Sequence, residues 1–99
     1  MTQPLAGKQI LIVEDEPVFR SLLHTWLASL GATIVQAEDG VDALQKMAES
    51  KPDLMICDIS MPRMNGLQLV EHVRNQGEQL PILMISATEN MADIAKALR

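Results

Sequence analysis

The run Leu54-Met55-Ile56-Cys57-Asp58 constrains this chain more than any other stretch. Its four apolar residues form a nearly continuous run, entered at Pro52-Asp53, and suit a strand buried on both faces. Such strands belong to parallel sheets, which carry helices on both sides. The run ends on a carboxylate, and Ser60, Met61 and Pro62 then stop it. Asp58 is therefore expected at the carboxyl end of a central strand, where sheet meets solvent. Open α/β sheets hold their ligands and chemistry at that end.

The rest of the chain supplies matching units. Residues 1–7 read as a polar, loose lead. Gln9-Ile-Leu-Ile-Val13 is a first buried strand that runs straight into Glu14-Asp15-Glu16. Pro17 suits the first turn of a helix capped by Asp15 or Glu16. Val18, Leu22, Leu23, Trp26, Leu27 and Leu30 follow a helical period, and Gly31 is a good stop. Thr33 to Ala37 reads as a second strand. Asp39 caps a predicted helix over residues 41–49, with Val41, Leu44 and Ala48 inward. After the central strand, Arg63-Met64-Asn65-Gly66 has turn chemistry, and Leu67, Val70 and Val73 mark a third helix that closes near Gln76-Gly77. Ile82-Leu83-Met84-Ile85 is a fourth strand ending at Ser86. Asn90 caps a fourth helix with Met91, Ile94, Ala95 and Leu98 on its apolar face.

This alternation predicts an α/β fold, a doubly wound parallel sheet. Right-handed crossovers leave few topologies, and strand order 2-1-3-4 sets strands one and three side by side. Helix one then covers one face, and the other helices cover the opposite one. A single helix does not cover four strands, and strand four is left as an apolar edge. The natural protein is therefore expected to continue with a further strand and helix.

Composition narrows the function. The 99 residues carry a formal charge of -5, which suits one small domain and gives no basic surface for direct nucleic-acid binding. No apolar stretch reaches 18 residues and the N-terminus lacks a signal-peptide core, so no membrane association is expected and a cytoplasmic location is. The lone Cys57 makes no internal disulfide and suits a small buried apolar position.

Three carboxylates should converge: Glu14 and Asp15 after strand one, and Asp58 after strand three. Like charges held close are costly, and a hard divalent cation relieves the cost. Magnesium (Mg2+) takes few protein oxygens, with waters and a phosphate oxygen completing its shell. Asp15 and Asp58 supply two such oxygens and the backbone carbonyl of Ser60 a third. A carboxylate is a known nucleophile toward phosphoryl groups. Ser86, at the end of the adjacent strand, offers a hydroxyl to the new phosphate. Each feature has a plainer alternative: turn or cap residues for the acids, a turn hydroxyl for Ser86. Their joint placement on three neighbouring strand ends favours the site. His24 and His72 have no motif around them and are read as non-catalytic.

These residues resemble the bacterial response-regulator receiver domains. Ile10 through Glu16, Asp58 through Pro62 and on to Gly66, and Ile85-Ser86-Ala87 match that family in order and spacing. The resemblance covers essentially the whole chain and makes residues 1–99 a receiver domain, incomplete at its C-terminus. It implies a flavodoxin-like fold and phosphorylation by a histidine kinase or a small phosphodonor. By the same resemblance Asp58 is the phosphoacceptor, Asp15 a direct metal ligand, Glu14 a ligand acting through water, and Ser86 the switch hydroxyl. It also implies a regulatory domain rather than an enzyme. The family's fifth-strand lysine lies beyond Arg99, and Glu14 stands where Asp is commoner. More closely, the opening Met1-Thr-Gln-Pro-Leu, Pro62-Arg-Met-Asn-Gly and the stretch from Ser86 to Arg99 are similar to enterobacterial adaptors. Those adaptors deliver the stationary-phase sigma factor to a Clp-type protease. That likeness implies a separate output domain.

Rival functions remain at this level. An Asp-nucleophile phosphohydrolase usually carries a second acid two residues after the nucleophile, where this chain has Ser60. A nucleotide binder would need a Gly-rich loop after strand one, where this chain has acids. A phosphorylation-independent interaction domain would keep the same acids. For the switch, phosphate on Asp58 is expected to draw in Ser86 and shift a partner surface around helix four.

Overall fold

A computed structural model describes residues 3–59, 64–77 and 79–85. Within them the order is β1 (Gln9–Val13), α1 (Pro17–Ser29), β2 (Thr33–Ala37), α2 (Gly40–Glu49), β3 (Leu54–Asp58), α3 (Gly66–Asn75) and β4 (Ile82–Ile85). The strands form one parallel sheet in the order β2-β1-β3-β4, as the alternation predicts. The predicted fourth helix falls outside the described residues.

Strand alternation divides the core. On one face Leu11, Val13, Met55 and Cys57 pack with Ala43 of α2 and Leu69 and Val73 of α3. On the other, Ile10, Ile12 and Ile56 pack with Leu27 of α1. Every β1 residue from Ile10 to Val13 is buried, because helices lie on both sides of it. At the amino end of the sheet, Gln9 N–H donates to an Asp53 carboxylate oxygen at 2.8 Å, and Asp53 N–H returns a bond to the Gln9 carbonyl at 2.7 Å. Asp53 thus aligns β1 with β3.

Three expectations need correction. Residues 3–8 are not a loose lead. Leu5 N–H donates to the Leu30 carbonyl at 2.9 Å, at the end of α1, and the Leu5 side chain packs on the α1 face of the core. Gly31, at φ 99°, makes that approach possible, since a Cβ there would lie 2.9 Å from Cβ of Gln3. Second, Val18, Leu22 and Trp26 of α1 face outward at 67%, 62% and 59% exposure, and only Leu27 of the helix is fully buried. The apolar stripe is wider than the surface it covers. Third, the residues expected to mark the buried sides of α2 and α3 are only partly inward: Leu44 packs on the core and Val73 is buried, but the others differ. Gly40 and Ala43 are the buried residues of α2, whereas Val41 and Ala48 are exposed. In α3, Leu69 and Val73 are inward and Leu67 is exposed. Both helix starts are capped. Asp39 caps α2 by accepting from Asp42 N–H at 2.8 Å, and Asn65 caps α3 in a reciprocal capping box with Gln68.

Candidate functional site

The register of the sheet brings the acids together. Val13 pairs with Cys57, so Glu14, one residue on, stands abreast of Asp58. Both follow the even positions of their strands and so lie toward the α1 side, like Ile12 and Ile56. Glu14 remains tied to the sheet, because its N–H donates to the Ala37 carbonyl at 3.0 Å. The chain then turns out of the sheet into α1. Glu16 caps that helix by accepting from Phe19 N–H at 2.7 Å, and Pro17 occupies its first turn.

One carboxylate oxygen from each of Glu14, Asp15 and Asp58 lies within 4.8 Å of the others. Glu14 and Asp58 are fully buried, and Asp15 is exposed on the solvent side of the cluster. Glu14 Oε2 accepts from Glu16 N–H at 2.9 Å. Its Oε1 is buried, and no hydrogen-bond partner reaches it among the described residues. Burial, helped by the neighbouring Asp58, pushes the Glu14 carboxyl up to about 8, against the lowering effect of the Glu16 N–H. The Cys57 thiol is pushed up to about 12, first by burial and then by Asp58 and Glu14. It donates to the Asp58 carbonyl at 3.4 Å and is a buried core residue, not a reactive thiolate.

Ile59, just after β3, is bonded on both sides. Ile59 N–H donates to the Ile85 carbonyl and Gly66 N–H to the Ile59 carbonyl, each at 2.9 Å. Gly66 sits so close to the carbonyl oxygen of Asp58 that a side chain there would collide with it. Two predicted site residues, Ser60 and Ser86, lie outside the described residues. Sequence reasoning missed Arg20, whose guanidinium Nη1 donates to the Glu14 carbonyl at 2.7 Å. Its only signal was a lone cation one turn into the helix that follows the acids.

A buried acid with an unsatisfied oxygen, beside two further carboxylates, fits a divalent cation. The donors are all hard oxygens, and the exposed position of Asp15 leaves room for the waters that Mg2+ retains.

The model of the response regulator receiver domain matches residues 10–99. The chain belongs to that family. Over all 99 residues this receiver domain is 75% identical to the Regulator of RpoS of Escherichia coli, and it spans 29% of that protein's length. Over 85 residues, 86% of the chain, it is 36% identical to the response regulator MprA of Mycobacterium ulcerans, covering 37% of that relative. Among solved structures it resembles the response regulator TrrA of Thermotoga maritima, in a complex with Mg2+ and BeF. That match has a TM-score of 0.77 and 36% identity, and covers 90% of this chain and 78% of that one. The flavodoxin-like arrangement of the receiver is thus shared with its relatives. Among the described residues no helix is long and apolar enough to cross a membrane.

Proposed function

We propose that this receiver is a phosphorylatable switch in which Asp58 accepts the phosphoryl group. The convergence of Glu14, Asp15 and Asp58 within 4.8 Å at the carboxyl end of the sheet supports this most directly. An oxygen of Asp58 attacks phosphorus, and the bond from phosphorus to the donor's leaving group breaks. Acetate leaves when the donor is acetyl phosphate, and a histidine ring when it is a kinase phosphohistidine. An acyl phosphate remains on Asp58. Asp58 and Asp15 would hold Mg2+ when it is bound, with Glu14 and the Ser60 carbonyl as the further ligands. Mg2+, when bound, neutralises the charge that moves between oxygens during phosphoryl transfer. Asp15, exposed at the mouth of the cluster, would present its carboxylate to that cation, and Glu14 would bind it as the carboxylate. The Ser86 hydroxyl donates to the phosphate and carries the change to helix four.

The Mg2+ and BeF complex of TrrA supports the chemistry by relationship. The likeness to the Regulator of RpoS supports a role in regulating RpoS, and our reading extends it to delivery of the stationary-phase sigma factor to a Clp-type protease in the cytoplasm. The deciding experiment is phosphorylation by acetyl phosphate with Mg2+. Wild-type protein should take up hydroxylamine-sensitive phosphate, and Asp58→Asn should take up none. Equal labelling of the variant would remove Asp58 from this role.

A further inference from the structure

We propose that Arg20 is a positioning residue for the acidic site, acting through the peptide between Glu14 and Asp15. The proposal rests on the functional reading above, in which those two acids hold the cation. Glu14 is the last residue that β2 ties to β1, through its N–H bond to the Ala37 carbonyl. Beyond it the chain leaves the ladder, and among the described residues no backbone N–H donates to the Glu14 carbonyl. Arg20 turns back from the first turns of α1 and supplies that donor, Nη1 to oxygen at 2.7 Å. The bond is charge-assisted and short, which makes it one of the stronger kinds. The Glu14 carbonyl and the Asp15 N–H belong to one planar unit. Holding the oxygen therefore sets the direction in which the chain enters Asp15 and aims the Asp15 carboxylate. Asp15 is exposed, so packing does little to aim it.

The guanidinium is itself held. Arg20 Nε donates to Oε1 of Gln36, on β2, at 3.3 Å. The other end of that amide, Nε2, meets Nδ1 of His24, one turn further along α1. Guanidinium offers only donors, so the Gln36 oxygen must face Arg20 and its NH2 must face His24, whose Nδ1 accepts. His24, Gln36, Arg20 and the Glu14 carbonyl thus form one chain of bonds from α1 across β2 to the site. An arginine present only for its charge would not need this arrangement, which directs two donors at neutral acceptors.

The test is Mg2+ affinity by isothermal titration of the purified protein, with hydrogen exchange of the Glu16 amide in metal-free protein as a second readout. Arg20→Ala should raise the Mg2+ Kd about tenfold, the loss expected from one charged hydrogen bond. Exchange at Glu16 should quicken, since its bond to Glu14 Oε2 loses its fixed base. Gln36→Leu should cost about threefold, and the double variant should be no weaker than Arg20→Ala alone, because Gln36 acts through Arg20. Arg20→Lys, which keeps a cationic donor, should recover most of the affinity. An Arg20→Ala Kd within about twofold of wild type, or fully additive losses in the double variant, would overturn the proposal. Should Arg20→Ala fail to fold, Gln36→Leu and Arg20→Lys decide the matter by the same titration, and unchanged affinity in Gln36→Leu overturns it. Wild-type protein that binds no Mg2+ would overturn the functional reading and this proposal with it. Normal wild-type binding with indifferent Arg20 variants would overturn this proposal alone.

Discussion

Glu14 concentrates the physics of the site in one residue. It is an acid with no exposed surface, and burial raises its carboxyl to about 8, from an ordinary value of 4.5. Between those two values the folded metal-free protein holds a proton that the unfolded chain does not. The stabilising contribution is therefore complete below about 4.5 and is lost as pH rises toward 8. The loss is on the order of a few kcal/mol. Urea melts at pH 5 and pH 8 without Mg2+ should show wild-type protein weakening across the interval and Glu14→Gln weakening much less. Parallel behaviour of the two proteins would remove Glu14 as the cause. Gly66 makes a second, steric demand. A Cβ there would strike the Asp58 carbonyl oxygen and stand 2.8 Å from Cε of Met84. Gly66→Ala should cost about 1–3 kcal/mol by overpacking and weaken Mg2+ binding, because the end of β3 must move. An alanine variant with unchanged melting and unchanged affinity would show that the approach is not required. The acids were legible in the sequence because strand ends are local features. The demand on Gly66 was not, because it depends on how α3 docks against β3.

At the scale of elements, the helices show how far periodicity reaches. A 3.6-residue period marks which residues share a helix face, but a broad stripe leaves the rotation of the helix open. In α1, Leu27 is buried at 4% exposure, and Val18, Leu22 and Trp26 form an outward row that nothing covers among the described residues. Leu27→Ala should therefore cost about 2–5 kcal/mol, whereas Leu22→Ser should stay within about 0.5 kcal/mol of wild type. Chemical denaturation of the two variants measures both, and similar losses would mean that the helix is rotated from the position described. In α3, which opens on the capping box between Asn65 and Gln68, Leu69 and Val73 face inward and Leu67 outward. The Asn-x-x-Gln spacing was visible in the chain. The side that would face the sheet was not, because the neighbouring strand decides it. The strands were easier to read, since side chains alternate strictly and burial on both faces leaves an unbroken apolar run.

For the whole molecule, parallel pairing sends all four strands the same way and gathers their carboxyl ends on one edge of the sheet. The proposed switch therefore has a defined polarity. Beryllofluoride with Mg2+ should shift amide resonances at residues 14–16, 57–59 and 64–66, and leave Leu5, Gln9 and Asp53 at the opposite edge nearly unchanged. Amide correlation spectra test this, and equal shifts at both edges would contradict a site confined to the carboxyl end. The sequence by itself determined the alternation of strand and helix, the order 2-1-3-4 and the strand-end positions of Glu14, Asp15 and Asp58. Short connections, right-handed crossovers and side-chain alternation are all local or chiral rules that a single chain displays. Only the tertiary structure decided that the three acids meet within 4.8 Å, that burial raises the Glu14 carboxyl, that Leu5 closes on the end of α1 and that Arg20 reaches the Glu14 carbonyl. Each of these depends on distances between residues far apart in sequence or on the exclusion of water, and both arise only when the layers pack.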